Sequence, residues 1–319
     1  MQNRFKLTPM VEGGILAGVS VLMALASMLP ILGIVAKILC PLPIIILGIR
    51  HGIRISLLTA VVVSILVALL MSPIYSLFLL PGFVLVGMAL VYAFRHKFSP
   101  VKAILSASIA SVVAKVIMIA SMFYFMDINP FGNGVDEVFR DAVEFYRSSG
   151  MNEQQLAEME KMMQDIMALT KVLMPGAIVA FSFIEGYLNF AATGMLLRRL
   201  NIQDTPRLLP FKDWRFPKWV VYFYAIALIG MYWSTKYELT LLNQVSMNLW
   251  LLMTILTLLQ GISLLCYVTC KYNLSKALRG FILILILLNG IFAQMLSIVG
   301  LFDIYLIIGR VFKNVIHKE

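Results

Sequence analysis

Long apolar segments separated by short clusters of charge make up most of this chain. A helix needs about 20 mostly apolar residues to cross the hydrocarbon of a membrane, and it satisfies its backbone hydrogen bonds internally. On this criterion the apolar runs predict six helices in the first 199 residues, over 12–29, 33–49, 55–71, 76–94, 101–125 and 168–197. Three more are predicted over 219–235, 243–269 and 278–298. The pattern therefore predicts an all-α, polytopic transmembrane helix bundle with about eight or nine spans.

The composition agrees with a membrane protein. Apolar residues make up 61% of the 319 positions and charged residues 13%, whereas soluble domains have roughly 45–50% apolar and about 25% charged residues. The expected environment is therefore a lipid bilayer. The net charge of +10 does not indicate nucleic-acid binding, because the lysines and arginines occur in short clusters between the apolar runs.

The basic clusters predict the orientation of the chain. They alternate with the first six predicted helices, at residues 4–6, 50–54, 95–102 and 198–199. If all six helices span, these clusters share one side, which the positive-inside rule assigns to the cytoplasm together with the N-terminus. The first apolar run is expected to remain as a helix and not to be removed as a signal peptide.

The acidic segment 127–167 falls on the opposite side and predicts an external helical hairpin. Apolar residues recur at helical spacing over 135–146 and again over 156–167. Asn152, followed three residues later by Gln155, fits a capping pair at the start of the second helix. Two interpretations stay open: the hairpin is a lid across the mouth of the bundle, or it packs on the outer surface.

The sequence divides into two membrane modules. Residues 1–199 form a predicted six-helix module, and residues 219–319 a predicted second module of two or three helices with a basic tail. The basic and aromatic stretch 200–218 has the composition of a cytoplasmic linker at the level of the lipid headgroups.

The basic tail makes the end of the chain ambiguous. Nine spans would leave Arg310, Lys313 and Lys318 outside, against the charge rule. We therefore expect a ninth span over 278–298, followed by a short amphipathic or re-entrant end over 301–316.

Three ionisable side chains are predicted to lie deep in the bilayer, Lys37, Lys115 and Glu185. Lys115 and Glu185 are each thirteen residues from a basic cluster on their own helix, which is about 20 Å at 1.5 Å per residue. Because a buried lone charge is costly, we predict that these two residues pair. Asn189 lies four residues after Glu185 and shares its helix face.

The predicted pair has two interpretations. One is a structural salt bridge that orients two helices. The other is a binding site in which Lys37 supplies surplus positive charge for a small anionic or zwitterionic solute. The ligand-binding candidates on this second interpretation are Lys115, Glu185, Asn189 and Lys37.

Other polar residues of the spans are predicted to be structural. Amides inside the later helices are expected to bridge neighbouring helices, at Asn248, Gln260, Asn289 and Gln294. The three cysteines lie in apolar runs and are expected to be buried thiols. The sequence has no phosphate loop, zinc pattern or nucleophile elbow, so no metal, no cofactor and no catalytic residue is predicted.

Several short motifs together resemble the YybS family of bacterial membrane proteins. They are Glu12-Gly13-Gly14, the stretch from Pro41 to Gly52, and the pair Pro81-Gly82. The resemblance implies a multi-pass protein of the bacterial cytoplasmic membrane. The first six helices are in turn similar to the substrate-binding S component of energy-coupling-factor transporters.

Resemblance to S components implies a docking face for a coupling subunit, with ATPases on separate chains. S components use a row of small residues on their first helix for this contact. The comparable rows here are Gly13 with Ala17, Gly14 with Gly18, and Ser20 with Ala24. Small residues at this spacing let two helices approach closely in lipid, and internal packing is the alternative explanation.

The leading functional hypothesis is a transporter-like protein that binds a small solute within the S-component-like bundle. The alternative is a membrane scaffold or regulatory protein that assembles partner proteins without transport. An intramembrane enzyme is not expected, because convergent nucleophile, acid and base groups are not apparent.

Overall fold

A computed structural model describes residues 9–30, 32–126, 133–148, 152–202 and 208–306. Its regular elements are helices: α1 Pro9–Ala26, α2 Leu32–Leu39, α3 Leu42–His51, α4 Ile53–Leu70, α5 Pro73–Arg95, α6 Pro100–Met126, α7 Asn133–Ser148, α8 Glu153–Arg199, α9 Trp219–Lys236, α10 Thr240–Lys271, α11 Lys276–Leu288 and α12 Gly290–Leu306. In this part of the chain seven spans are long and apolar enough to cross a membrane, and α11 and α12 pass the same test only together, as a bent pair. The predicted all-α polytopic bundle is confirmed.

The helices form two compact units. The first comprises residues 1–167 and 181–207, and the second comprises residues 168–180 and 208–319. Helix α8 contributes residues to both units.

The first unit has a core of small and β-branched residues from α1, α3, α4 and α5. Glycines allow α3 and α5 to approach closely, because a Cβ added at Gly48 would lie 2.5 Å from Cγ2 of Val91. A Cβ at Gly87 would lie 2.8 Å from Cδ1 of Ile44. Within lipid, such close packing is what holds helices together, since the tails are as apolar as the side chains.

The second predicted span is interrupted at Cys40 and Pro41, so that α2 and α3 are separate helices. Pro41 and Pro43 have no backbone N–H, and their rings clash with the preceding turn, which explains the break. Gly52 joins α3 to α4 with a φ of +103°, a conformation that favours glycine.

Polar contacts place three helix ends on one side of the first unit. Glu12, near the start of α1, accepts hydrogen bonds from Arg50 and, at 2.7 Å, pairs with His51 at the end of α3. Arg95, at the end of α5, donates to the carbonyl of Gly48 at 3.1 Å. The basic clusters around residues 50 and 95 therefore share a side, as the sequence predicts.

The segment predicted to be external contains the two predicted helices, but the second is not separate. Asn152 caps α8 by accepting a hydrogen bond from the backbone N–H of Gln154 at 3.3 Å, and α8 then continues without a break to Arg199. At 1.5 Å per residue its 47 residues extend about 70 Å, more than twice the thickness of the hydrocarbon. Arg147 of α7 lies 3.6 Å from Glu160 of α8.

In the second unit α9 and α10 form an antiparallel pair. Ser234 near the end of α9 donates to Asn243 near the start of α10 at 3.3 Å. The segment before α9 also lies against α10. Ser263 of α10 donates to the carbonyl of Phe211 at 2.8 Å, and the N–H of Phe216 donates to Gln260 of α10 at 3.0 Å. Part of the predicted linker is thus bound to α10.

The prediction of one continuous helix over 278–298 is wrong. The chain bends by 107° between α11 and α12, where Asn289 caps α12 by accepting hydrogen bonds from the N–H groups of Ile291 (3.0 Å) and Phe292 (3.3 Å). Asn289 is therefore a helix cap and not the predicted interhelical bridge. The predicted end over 301–316 is described only as far as Leu306.

Helix α12 runs parallel to α10. Ser297 pairs with Thr257 at 2.7 Å, and a Cβ added at Gly300 would meet Thr257 and, at 2.5 Å, the N–H nitrogen of Gly261. Residue numbers thus rise together along the two helices. The pair α11 and α12 therefore forms a re-entrant bend, and α12 returns toward the side where α10 ends.

Candidate functional site

Lys115 of α6 and Glu185 of α8 form an ion pair, with Nζ 2.5 Å from Oε2. Ser111 completes the group, because its hydroxyl donates to the same Oε2 at 2.6 Å and accepts from Nζ of Lys115 at 2.6 Å. We call these three residues the triad. The pairing predicted from the cost of burying a lone charge is confirmed.

Close packing of α6 on α8 brings the triad together. A Cβ added at Gly186 would lie 2.5 Å from Oγ of Ser108 and 3.1 Å from the carbonyl of Ile104, so only glycine fits this contact without displacement. Ala107 and Ala114 of α6 are also buried. These small residues of α6 therefore serve packing within the protein, and the close approach of α6 to α8 at Gly186 sets the distance at which Lys115 reaches Glu185.

The triad is electrically neutral and incompletely bonded. Oε2 of Glu185 receives both hydrogen bonds, and Oε1 has no hydrogen-bond partner among the described residues. An ammonium group has three hydrogens. That of Lys115 donates one to Oε2 of Glu185 and one to Oγ of Ser111. The side chains of Lys115 and Glu185 are 26% and 18% exposed. One acceptor, Oε1 of Glu185, and one donor, the third hydrogen of Lys115, thus remain available within the described residues.

Asn189 connects α8, the helix of Glu185, to α2, the first half of the interrupted second span. Its amide nitrogen donates to the carbonyl of Ile38 at 2.9 Å and to the carbonyl of Glu185 at 3.0 Å. Ile38 lies in the last turn of α2, where carbonyls lose their helical partners because the helix stops before Pro41. Asn189 therefore holds the interrupted helix against α8.

Several buried polar atoms of the first unit have no hydrogen-bond partner among the described residues. They are Oδ1 of Asn189, Oγ of Ser182, Oγ1 of Thr193 and, on α1, Oγ of Ser20, and all four residues are fully buried. Ser182, Glu185, Asn189 and Thr193 recur at intervals of three and four residues, so they share a face of α8. Thr193 was not predicted as a site residue, although its spacing from Asn189 is visible in the sequence, and Ser20 was predicted for docking and not for ligand binding.

Lys37 does not join the triad. It is exposed in the last turn of α2, and among the described residues it has no hydrogen bond or ion pair. The surplus positive charge that the sequence interpretation assigned to the site is therefore not supplied by a contact of Lys37 with Lys115 or Glu185.

The three small-residue rows of α1 differ in what they contact. Gly13, Ala17, Ser20 and Ala24 are buried in the first unit, and a Cβ at Gly13 would lie 3.2 Å from Oγ1 of Thr59 of α4. The rows of Gly13 with Ala17 and Ser20 with Ala24 thus contact the chain's own helices. Gly14 and Gly18 are exposed, with nothing within 4 Å of an added Cβ.

The second unit contains the predicted amide bridges of α10. Asn248 donates to the carbonyl of Val172 at 2.7 Å and accepts from the N–H of Gly176 at 2.6 Å. Gln260 donates to Oδ2 of Asp303 of α12 at 2.6 Å. Both predicted bridges are confirmed, whereas Gln294 is exposed on α12.

These helices, breaks and intramembrane polar groups define a polytopic α-helical membrane protein. Residues 18–304 match the family described as predicted membrane protein (DUF2232). The chain belongs to this family. It is 25% identical to the "Uncharacterized protein YybS" of Bacillus subtilis (strain 168) over 297 residues, which cover 92% of this chain and 95% of the relative. No solved structure matches the chain.

Proposed function

We propose that this chain is a transporter-like membrane protein that binds a small solute within its first unit. One observation carries the proposal: within the described part of the chain, the triad leaves a donor and an acceptor free, and polar atoms buried on the same helix have no partner. Buried polar groups are nearly always hydrogen-bonded, and exceptions indicate water, an ion or a ligand. Polar side chains inside membrane helices commonly mark substrate pathways.

The interrupted span supports the same proposal. Substrate sites of membrane transporters are often built at broken helices, whose free backbone groups face a cavity. Here the break between α2 and α3 is linked by Asn189 to the helix that carries Glu185. The triad binds the solute, Asn189 positions the broken helix, and the chain performs no catalysis.

The S-component likeness belongs to this proposal. Six candidate spans precede residue 200: α1, the broken pair α2 and α3, α4, α5, α6 and α8. A coupling subunit and ATPases on separate chains would energise transport. Of the three small-residue rows, the row of Gly14 and Gly18 offers the open surface for that contact. The N-terminus lies on the cytoplasmic side of the bacterial cytoplasmic membrane, with the basic clusters at residues 50 and 95.

The test is gentle purification of the full chain followed by native mass spectrometry. We expect a bound small molecule in the wild type and in Lys102→Met, which changes an exposed lysine of the same helix. We expect its loss in Lys115→Met. Retention of the molecule in Lys115→Met would contradict binding at the triad, and a wild type with no bound molecule would contradict solute binding.

A scaffold that assembles partners without transport is the second candidate. The outward-facing row of Gly14 and Gly18 supports it, because small residues at this spacing favour helix association in lipid. Protein partners that copurify without ATPases, together with the absence of a bound molecule, would favour this function.

A further inference from the structure

We infer that the solute is a small zwitterion that carries a protonated amine and a carboxylate. The inference rests on the proposed function and names the class of ligand that the triad and Asn189 fit. It starts from the net charge of the triad, where one lysine is paired with one glutamate.

Charge balance selects against a simple anion. Lys115 is already neutralised by Glu185 at 2.5 Å, so a bound anion would add an uncompensated negative charge in a low-dielectric environment. Lys37, proposed from the sequence as a second cation of the site, is exposed and makes no ion pair among the described residues. A zwitterion adds no net charge, and each of its ends meets a group of opposite sign.

The free hydrogen-bonding positions match both ends of such a molecule. Oε1 of Glu185 and Oδ1 of Asn189 are acceptors without partners in the described chain, one helical turn apart on the same face. A protonated amine donates three hydrogen bonds and suits two such acceptors. The third hydrogen of Lys115 remains for a carboxylate of the ligand.

The neighbouring hydroxyls extend the site on the same face of α8. Ser182 lies one turn before Glu185, and Thr193 one turn after Asn189, and both hydroxyls are buried without a partner among the residues that the structure describes. Hydroxyls donate and accept, so they do not distinguish the two ends of the ligand. The selection therefore depends on Glu185, Asn189 and Lys115.

The test compares three mixtures on the purified full chain, with the unfolding temperature as the readout. The first contains the standard amino acids, the second their N-acetyl derivatives, which lack the amine charge, and the third their amides, which lack the carboxylate. We expect the first mixture to raise the unfolding temperature and the other two to leave it unchanged. The comparison uses the wild-type chain and so does not depend on the folding of a variant.

Two variants and their controls locate the effect. Lys115→Met and Glu185→Gln are expected to abolish the rise, whereas Lys102→Met and Glu158→Gln, at exposed positions of the same two helices, are expected to retain it.

An equal rise with the N-acetyl mixture would overturn the zwitterion while leaving the solute site standing. If the amino acids still raise the unfolding temperature of Lys115→Met and Glu185→Gln, the ligand does not bind at the triad. No rise with any mixture overturns the inference, and only the additional absence of a bound molecule in native mass spectrometry overturns the proposed function.

Discussion

The side-chain amide of Asn248 is bonded to α8 on both sides of Pro175. It donates to Val172 before the proline and accepts from Gly176 after it, at 2.7 and 2.6 Å. These are the carbonyl and the N–H that pair with each other in a regular helix. Proline removes one helical hydrogen bond and distorts the turn before it, so the amide stabilises the helix where it is weakest.

The first prediction concerns this amide. Asn248→Leu removes both hydrogen bonds and is expected to lower the free energy of unfolding by about 1–2 kcal/mol, since interhelical hydrogen bonds in membranes contribute roughly 0.6–1.7 kcal/mol each. Gln244→Leu, at an exposed position one turn earlier, is the matched control and is expected to be near neutral. Equal stability of the two variants, measured by unfolding in mixed micelles, would show that the amide contributes nothing.

The second prediction concerns the ion pair. Lys115→Met leaves the carboxylate of Glu185 without its cation, and Glu185→Gln leaves the ammonium without its anion, so each is expected to destabilise the fold by about 2 kcal/mol or more. The double variant is expected to lose less than the sum, because it leaves no unpaired charge. Additive losses in this double-mutant cycle would mean that the two side chains do not interact.

The third prediction concerns the path of the C-terminal helices. Because α12 runs parallel to α10, single cysteines at Asn273 and Leu306 in a cysteine-free chain are expected to react with an impermeant thiol reagent from the same side of the membrane. A cysteine at Glu238, between α9 and α10, is expected to react from the opposite side. Labelling of Leu306 together with Glu238 would contradict the re-entrant bend.

The fourth prediction separates the glycine rows of α1. Gly13→Leu is expected to destabilise the protein by more than 1 kcal/mol, because even a Cβ there would contact Thr59 at 3.2 Å. Gly14→Leu and Gly18→Leu are expected to leave stability unchanged and to abolish copurification of a coupling subunit. The measurements are thermal unfolding and mass spectrometry of the copurified proteins. If a coupling subunit copurifies equally well with both variants, the row of Gly14 and Gly18 is not its docking surface.

The pair of Lys115 and Glu185 was predictable because its cause is local in the sequence. Each charge lies at the same distance from a basic cluster, on consecutive predicted spans, and the cost of isolation in lipid requires a partner. Ser111 was not assigned to the pair, since a serine among alanines on α6 equally indicates close packing.

The bend at Asn289 was not predictable from the apolar pattern. Residues 281–288 and 291–293 form a nearly continuous apolar run with no proline, and a single asparagine in such a run equally indicates a bridge between helices. The reversal depends on tertiary contacts of α12 with α10, at Gly300 and Gly261. Hydrophobicity sets how many residues enter the membrane, whereas packing decides where the chain turns.

Helix α8 has no break between Glu153 and Arg199, so its first half and Glu185 belong to one helix, and Pro175 lies between them. A displacement of the first half of α8 is therefore expected to be absorbed in part at the turn before Pro175, where Asn248 replaces the helical hydrogen bond. A probe at the exposed Glu158, compared with one at Glu185, would measure how much of the displacement passes this turn.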